Sequence, residues 1–418
     1  MSTLDDAIRD DFPILRRQID GRPLVYLDNA ATTQKPLAVL DAMREYYETT
    51  NSNIGRGYYR LAFAATDAYE HSRGVVQRAL NAEHADEIVF TAGTTAALNL
   101  VADTFGRSVV HAGDRIVVSG MEHNSNMLPW RRLCETVGAE FVVLPGGPTG
   151  RISPEELAAA LDERVKLVAL THVSNVLGTV NPIRELVTEA HRHGIPVVVD
   201  GAQAVPHWSV DVRDVGADFY VFSGHKVYGP MGLGVLYGRR ELLADLEPYQ
   251  VGGGTVKGVT LDAPVQYVPS PARFEAGTPN VAAAVGLAAA LEYVEKIGWQ
   301  NVQAHNDALV RTAVDLLAEL PHVRVLGDPA AEPAGIVSIS VPGIHPYDVG
   351  GHLDKSGVSV RSGVQCAGTF VDQLGLVGTV RLSFAVYNTE GELRQVRDAL
   401  RTVEPGFWTR EHPTERFL

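Results

Sequence analysis

Short apolar runs and segments with helical spacing alternate from about Asp86 to Tyr237. The runs are rich in β-branched residues and apolar throughout rather than at every second position, which is typical of strands covered by helices on both faces. This alternation predicts an α/β fold with a large, mostly parallel sheet. Its seven predicted strands are Glu87–Thr91, Arg115–Ser119, Glu140–Leu144, Leu167–Thr171, Pro196–Asp200, Asp218–Phe222 and Gly234–Tyr237.

The pattern changes after Gly258, where prolines become frequent over some 20 residues. Beyond that stretch, strands and helices follow one another at shorter spacing, as in a small α+β domain. We therefore expect residues 24–275 to form a large α/β domain and residues 1–23 and 276–418 to form a small α+β domain.

Composition narrows the classes of function. The chain has 418 residues, 45% of them hydrophobic and 21% charged, which is typical of a folded globular protein. Its formal net charge of −14 disfavours nucleic acids and anionic membranes as partners. Two cysteines, an acidic N-terminal stretch and no long apolar segment lead us to expect a cytoplasmic protein, and no metal site is predicted.

Two charged residues follow neighbouring predicted strands. Lys226 stands just after the strand that ends at Phe222, and Asp200 ends the strand before it. Ligands bind at this edge of open α/β sheets, where a desolvated lysine can form a Schiff base and an aspartate can pair with a pyridinium nitrogen. The alternatives are a solvated lysine in a surface loop and an aspartate that caps the next helix.

Two further segments fit the same chemistry. Ala92-Gly-Thr-Thr95 joins a strand to a helix, where backbone N–H groups and hydroxyls can hold a phosphate. His123, at another strand end, is placed to stack on a flat ring. Each signal alone is more often a simple turn or a satisfied polar group, but their combination and order predict a site for pyridoxal 5'-phosphate.

Cys366 ends the polar, glycine-containing loop Arg361-Ser-Gly-Val-Gln-Cys366. Such a loop is a poor place to bury a thiol, and the guanidinium of Arg361 would favour the thiolate, which is the nucleophilic form. We therefore interpret Cys366 as reactive rather than structural. Cys134, within an amphipathic helical pattern, is expected in the core.

Together these motifs identify a family. The chain resembles the fold-type I pyridoxal phosphate enzymes of the class V aminotransferase group, and more narrowly the Suf-type (group II) cysteine desulfurases. The resemblance extends over nearly the whole chain, through Tyr26-Leu-Asp-Asn-Ala-Ala-Thr-Thr33, Thr171-His-Val-Ser-Asn175, Ser223-Gly-His-Lys-Val-Tyr-Gly-Pro230 and Tyr387-Asn-Thr389.

The resemblance implies roles for individual residues. Lys226, His123 and Cys366 would be catalytic, and Thr278 would reach the phosphate in the neighbouring subunit of a homodimer. The substrate would be bound by Asn175, Arg361, Arg381 and Arg56. The cofactor-binding residues would be Thr94, Thr95, His123, Asn175, Asp200, Gln203, Ser223, His225, Lys226 and Thr278.

The function implied is a cysteine desulfurase, which converts L-cysteine to L-alanine and leaves a persulfide on Cys366 for a sulfur-acceptor protein, as in iron–sulfur cluster assembly. An alternative keeps the cofactor but changes the reaction: a C–S lyase, a selenocysteine lyase or an epimerase-like relative. A third alternative is a non-catalytic member that only binds partners in a sulfur-transfer complex.

Several positions depart from the family pattern on the substrate side. Gly55 and Ala96 stand where the family has His and Glu, and Val364 and Gln365 stand where it has two histidines. Tyr347 stands where members that serve a zinc-binding acceptor have His. These departures leave the cofactor half unchanged, but the acceptor and the pathway stay unidentified.

Overall fold

The computed structural model describes residue 4, residues 6–328, residue 331 and residues 334–411. The ends of the predicted small domain, 1–3 and 412–418, lie outside the described residues. The strands are β1 (Gln18–Ile19), β2 (Arg22–Pro23), β3 (Val25–Tyr26), β4 (Ile88–Thr91), β5 (Arg115–Ser119), β6 (Glu140–Leu144), β7 (Val165–Thr171), β8 (Val197–Asp200), β9 (Phe219–Ser223), β10 (Gly234–Gly238), β11 (Val256–Gly258), β12 (Gln266–Tyr267), β13 (Arg324–Val325), β14 (Ile336–Ser340), β15 (Val358–Ser359), β16 (Arg361–Gly363) and β17 (Thr379–Ser383).

The α-helices lie between these strands and after them. They are α1 (Leu37–Glu45), α2 (Arg60–Ala79), α3 (Thr94–Val101), α4 (Arg107–Val109), α5 (Leu128–Val137), α6 (Pro154–Ala160), α7 (Ile183–Arg192), α8 (Val212–Val215), α9 (Arg240–Asp245), α10 (Val281–Ile297), α11 (Trp299–Ala318), α12 (Pro346–Asp354), α13 (Gly368–Gln373), α14 (Glu390–Leu400) and α15 (Phe407–Glu411). No helix in this described part is long and apolar enough to cross a bilayer.

A sheet of seven strands in the order β4-β10-β9-β8-β7-β5-β6 forms the centre of the fold. Its strands are parallel except β10, which runs antiparallel to both of its neighbours. Val168 and Val199 enter one core cluster, whereas Ala169 and Val198 enter another on the opposite face. Both faces are therefore covered, and the prediction of a mostly parallel seven-stranded α/β sheet is confirmed.

Local signals explain where the surrounding helices begin and end. The side chain of Ser153 accepts a hydrogen bond from Glu156 N and caps α6. Helix α7 ends at Arg192, two residues before Gly194, whose φ of +69° suits glycine. The buried residues of α7 recur at helical spacing and face the sheet: Ile183, Leu186, Val187 and Ala190.

A smaller sheet in the order β13-β14-β17-β16 brings the C-terminal part of the chain to the site. The segment 358–363 forms two short strands rather than one. It divides at Val360, so that β15 pairs with β3 while β16 pairs with β17. This division places Arg361 beside Arg381 in register, and both then belong to the smaller sheet.

Helix α10 packs against α1 and α2, on one face of the large sheet. A Cβ on Gly286 of α10 would lie 2.8 Å from the Met43 side chain, so glycine permits this close approach. The division of the chain into residues 24–275 and the remainder stays a prediction.

Candidate active site

A cavity of about 230 Å³ lies at the carboxyl ends of the large sheet's parallel strands, where the smaller sheet meets them. It brings together every predicted site residue except Arg56 and Thr278. Its lining consists of Ala30, Ala31, Thr94, Thr95, His123, Ser125, Asn175, Asp200, Ala202, Gln203, Ser223, His225, Lys226, Arg361, Gln365, Cys366 and Arg381.

Lys226 occupies a single 3-10 turn directly after β9 and is half-buried. Desolvation lowers the pKa of its amine to about 8, and the positive charge of Arg381 acts in the same direction, while Asp200 opposes the shift. These surroundings differ from those of a solvated surface lysine. A large share of Lys226 amines would be neutral, and so nucleophilic, near pH 8.

Asp200 ends β8 in a buried position. Its Oδ1 accepts a hydrogen bond of 2.9 Å from Ala202 N, and among the described elements the next α-helix begins only at Val212. The carboxylate thus stabilises a turn rather than a helix start. Burial raises its pKa, and the nearby charge of Lys226 opposes that rise.

Hydroxyls and a helix start gather on one side of the cavity. Helix α3 begins at Thr94, whose backbone N donates to Ser223 Oγ at 2.9 Å. Thr95 Oγ1 and Ser125 Oγ share a hydrogen bond of 2.7 Å. The partial positive charge of a helix N-terminus together with several hydroxyls suits a phosphate group.

His123 caps the 3-10 turn Asn124–Asn126, because its Nδ1 accepts a hydrogen bond of 3.1 Å from Ser125 N. Accepting this bond assigns the proton of the neutral ring to Nε2. Burial lowers the pKa of His123 to about 4, and the positive charge of Lys226 adds to the effect. The imidazole is therefore neutral at physiological pH.

Arg381 and Arg361 line the cavity, and both interact with the carboxylate of Asp28. Buried Arg381 donates through Nη2 to Asp28 Oδ1 at 3.1 Å, and Arg361 Nη1 lies 3.8 Å from Asp28 Oδ2. Arg381 also donates through Nη1 to the backbone oxygen of Asn175 at 2.8 Å. Asp28 thus holds two guanidiniums at the site, an arrangement suited to a substrate carboxylate.

The two cysteines differ in their surroundings. Cys366 is exposed at the cavity, and its backbone oxygen accepts a hydrogen bond of 2.8 Å from Asn124 N. Cys134 is buried in α5, and desolvation raises its pKa to about 11, so the expectation that it belongs to the core is confirmed. Cys366 alone of the two is placed to react at this site.

The residues present fit pyridoxal phosphate. Gln203 Oε1 and His225 Nδ1 are buried polar atoms of the cavity wall, and neither has a hydrogen-bond partner within the described ranges. Buried polar atoms left unsatisfied by the protein indicate a polar ligand. A lysine, a strand-end carboxylate and a hydroxyl-lined helix start supply partners for an aldehyde, a ring nitrogen and a phosphate.

The model of the family described as "Aminotransferase class-V" matches residues 25–396. The chain belongs to this family. A cysteine desulfurase of Escherichia coli O127:H6 is 44% identical over 398 residues, which cover 95% of this chain and 98% of that protein. A cysteine desulfurase of Synechococcus elongatus is 46% identical over 96% of this chain, which spans 63% of that longer protein.

Solved structures support the same assignment. The apo cysteine desulfurase of Thermococcus onnurineus NA1 is 39% identical with a TM-score of 0.91, covering 96% of this chain and 99% of its own. The cysteine desulfurase CsdA of Escherichia coli, an S-sulfonic acid form, is 36% identical with a TM-score of 0.88, at the same coverage. The predictions of a fold-type I enzyme, pyridoxal phosphate and a cysteine desulfurase are confirmed, and the Suf-type subgroup stays a prediction.

Two predicted site residues, Arg56 and Thr278, do not line this cavity in a single chain. Arg56 is exposed in the segment before α2, and Thr278 lines a separate cavity with Tyr69 and Phe90. The family resemblance assigns Thr278 to a neighbouring subunit, and its absence from the Lys226 cavity of its own chain accords with that hypothesis.

Sequence reasoning assigned no role to several residues of the site. Ser125 joins His123 to Thr95 through its hydroxyl, and Asp28 pairs with two arginines. Asp28 stands inside a motif that carries the family resemblance, and Ser125 lies two residues after His123. Their contacts depend on loops that meet only in the folded chain, which explains why spacing did not single them out.

Proposed function

We propose that this protein removes sulfur from L-cysteine, leaving L-alanine and a persulfide on Cys366. One observation carries the proposal: an exposed thiol, Cys366, lines the same cavity as the desolvated Lys226 and the paired Arg361 and Arg381. A nucleophile, a base and a carboxylate-binding pair thus face one small volume.

The cavity wall would hold the cofactor by complementary charge. The start of α3, with Thr95, Ser223 and His225, would bind the phosphate, and Asp200 would keep the ring nitrogen protonated. Gln203 would meet the phenolic oxygen, and the neutral ring of His123 would stack on the cofactor. When bound, pyridoxal phosphate supplies an electron sink for the bond electrons released at the substrate Cα.

The substrate carboxylate would bind the positive pair. Arg381 presents a buried guanidinium whose Nε has no hydrogen-bond partner among the residues the structure describes. Asn175 offers a side-chain amide beside it, and Arg361 adds charge from β16. Asp28 restrains both guanidiniums, so the orientation exists before the substrate arrives.

Lys226 would transfer protons from and to the substrate. Its lowered pKa lets the free amine take the proton from the substrate Cα and return it later in the reaction.

Cys366 would take the sulfur. Its thiolate attacks the sulfur of bound L-cysteine, an S–S bond forms, and the Cβ–S bond breaks with its electron pair left on the substrate carbon. A proton then completes the methyl group of alanine. One L-cysteine and one thiol thus give one L-alanine and one persulfide, with no external oxidant or reductant.

The proposal also covers the oligomeric state, the sulfur acceptor and the cellular location. The chain would act as a homodimer in which Thr278 completes the phosphate site of the neighbouring subunit, and Arg56 would approach the substrate side. A sulfur-acceptor protein would remove the persulfide. A cytoplasmic location is supported by two cysteines that are both free thiols.

The test follows one turnover of the holoenzyme with L-cysteine. We expect alanine as the product and a mass gain of one sulfur atom on the Cys366 peptide, removable by a reducing thiol. Cys366→Ser should release almost no alanine, whereas the buried control Cys134→Ser should behave like wild type. Pyruvate and ammonia from Cys366→Ser at the wild-type rate would contradict the proposal and favour a C–S lyase.

A further inference from the structure

The loop that carries Cys366 has an unfavourable backbone. Gln365 has a φ of +56° and Cys366 a φ of +54°, and neither is glycine. Side chains with a Cβ seldom occupy this left-handed region, so two in succession need support from their surroundings. The conformation at Cys366 therefore depends on what holds Gln365.

The side chain of Gln365 is buried and turned back into the smaller sheet. Its amide Nε2 lies 3.2 Å from Thr379 Oγ1 and 3.3 Å from the backbone oxygens of Arg361 and Gly363, with Thr379 O at 3.5 Å. Three of these atoms are carbonyl oxygens, which only accept, and the Thr379 hydroxyl oxygen accepts here as well, so the site takes an N–H donor and disfavours an oxygen. The amide orientation is fixed, and it links the loop to β16 and β17.

The backbone of Gln365 is bound on the other side. Its carbonyl oxygen accepts a hydrogen bond of 2.6 Å from Asn175 Nδ2, and Asn175 follows β7 of the large sheet. Gln365, the residue before the thiol, is thus hydrogen-bonded both to the smaller sheet and to the loop that follows β7 of the large sheet. Because a primary amide does not titrate, this connection persists over the whole working pH range.

We propose that Gln365 is a positioning residue that holds the Cys366 sulfur in the orientation for attack on the substrate sulfur. The inference rests on the proposed function, since it assumes that Cys366 accepts sulfur. Gln365 does not touch the reacting atoms in this role. It acts by keeping two left-handed residues in place.

The first test compares Gln365→Ala with Gln373→Ala, an exposed glutamine on α13 that binds only backbone oxygens outside the cavity. In a single turnover of the holoenzyme, persulfide formation should fall at least about tenfold in Gln365→Ala, because a small misplacement of a reacting atom is costly. Cofactor content and the KM for L-cysteine should stay within about twofold. Equal rates in the two variants would overturn the inference.

The second test uses Gln365→Glu, which has nearly the same shape. A carboxylate would face four acceptors and be repelled, whereas the protonated acid can donate one hydrogen bond. The rate of Gln365→Glu relative to wild type should therefore rise as the pH falls from 8 to 6. A ratio independent of pH would indicate packing alone and would overturn the inference.

A third variant keeps the proposal testable if those substitutions impair folding. Thr379→Val removes only the Oγ1 acceptor and should slow persulfide formation about two- to fivefold without changing cofactor content. An unchanged rate would count against the inference. Failure of the proposed function itself is recognised separately, since wild-type Cys366 would then gain no sulfur.

Discussion

At the scale of single residues, the surroundings of Lys226 on balance oppose its protonation, although Asp200 favours it. Burial and the guanidinium of Arg381 lower its pKa to about 8, from an ordinary value near 10.5. Only the neutral amine attacks an aldehyde, so in cofactor-free protein the rate of covalent capture of pyridoxal phosphate should rise through about pH 8. The rise of absorbance after mixing measures this rate at each pH.

The control for this prediction is a pair of lysine variants. Lys226→Ala should bind no cofactor that borohydride can fix, whereas Lys257→Ala, at an exposed position, should behave like wild type. A capture rate that rises only near pH 10 would show that desolvation does not act on Lys226. Fixable cofactor in Lys226→Ala would remove this residue from the role.

Asp200 gives a second prediction at this scale. Asp200→Asn keeps the shape of the turn but removes the charge that would hold the cofactor ring nitrogen protonated. We expect cofactor content near wild type and a fall in kcat of about 100-fold, as for the loss of other preorganised charges. Alanine release measures kcat, and an unchanged kcat would exclude this role for Asp200.

The sequence predicted the roles of residues that directly follow a strand. It did not predict the roles of residues whose contacts come from loops that meet only in the folded chain. Lys226 and Asp200 follow buried strands, so their arrival at one edge follows from parallel pairing. Gln365 stood out only as a departure from the family pattern. Its four acceptors belong to β16 and β17, and no spacing in the sequence specifies those distances.

At the scale of elements, periodicity located the central strands within two residues. The central residues of such runs, for example Ile116, Val117 and Val118, are apolar without alternation, and burial on both faces explains that composition. The break at Val360 was not predictable, because β15 and β16 are continuous in hydrophobic pattern and differ only in their pairing partners. Helices α1 and α2 precede the stretch that the apolar runs cover, and tertiary packing against α10 accounts for their burial.

Helix α2 carries a buried ion pair that fixes it to the sheet. Arg73 is fully buried and donates to both oxygens of Glu275, at 2.7 and 2.9 Å. Glu275 also accepts a hydrogen bond from Phe90 N in β4. Arg73 stacks on Phe90 as well, with its guanidinium carbon 4.9 Å from the ring centroid. The pair therefore joins α2, β4 and the segment that leads to Thr278.

Removing one partner of this pair should be costly. Glu275→Gln leaves the Arg73 guanidinium with the half-exposed Glu70 as its only acidic partner, besides its hydrogen bond to the backbone oxygen of Ile88. We expect unfolding to become easier by about 3 kcal/mol. The control is Glu135→Gln, which breaks an exposed pair with Arg131 and should cost less than about 1 kcal/mol. Urea titration of both variants measures the difference, and equal midpoints would show that the buried pair adds nothing.

At the scale of the whole molecule, Thr278, a predicted cofactor-binding residue, does not line the active-site cavity of its own chain. Thr278 lines a cavity apart from Lys226, next to Tyr69 and Phe90. Apolar side chains are also left in solvent, among them Tyr58, Phe63 and Met231, which are 95%, 53% and 65% exposed. Exposed apolar groups of this size favour an interface, and a homodimer would cover them while bringing Thr278 to the neighbouring site.

Hybrid dimers test this arrangement directly. In Thr278→Asp the new carboxylate should repel the cofactor phosphate, so that variant and Lys226→Ala should each be inactive alone. Coexpressed with different tags and purified as a hybrid, they should regain about half of wild-type activity, because one site combines an intact Lys226 with the intact Thr278 of the other chain. A hybrid that stays inactive would show that Thr278 serves its own chain, and an active Thr278→Asp variant would show that Thr278 serves no cofactor site. Elution of the wild-type enzyme at the mass of one 45.1 kDa chain would exclude the dimer itself.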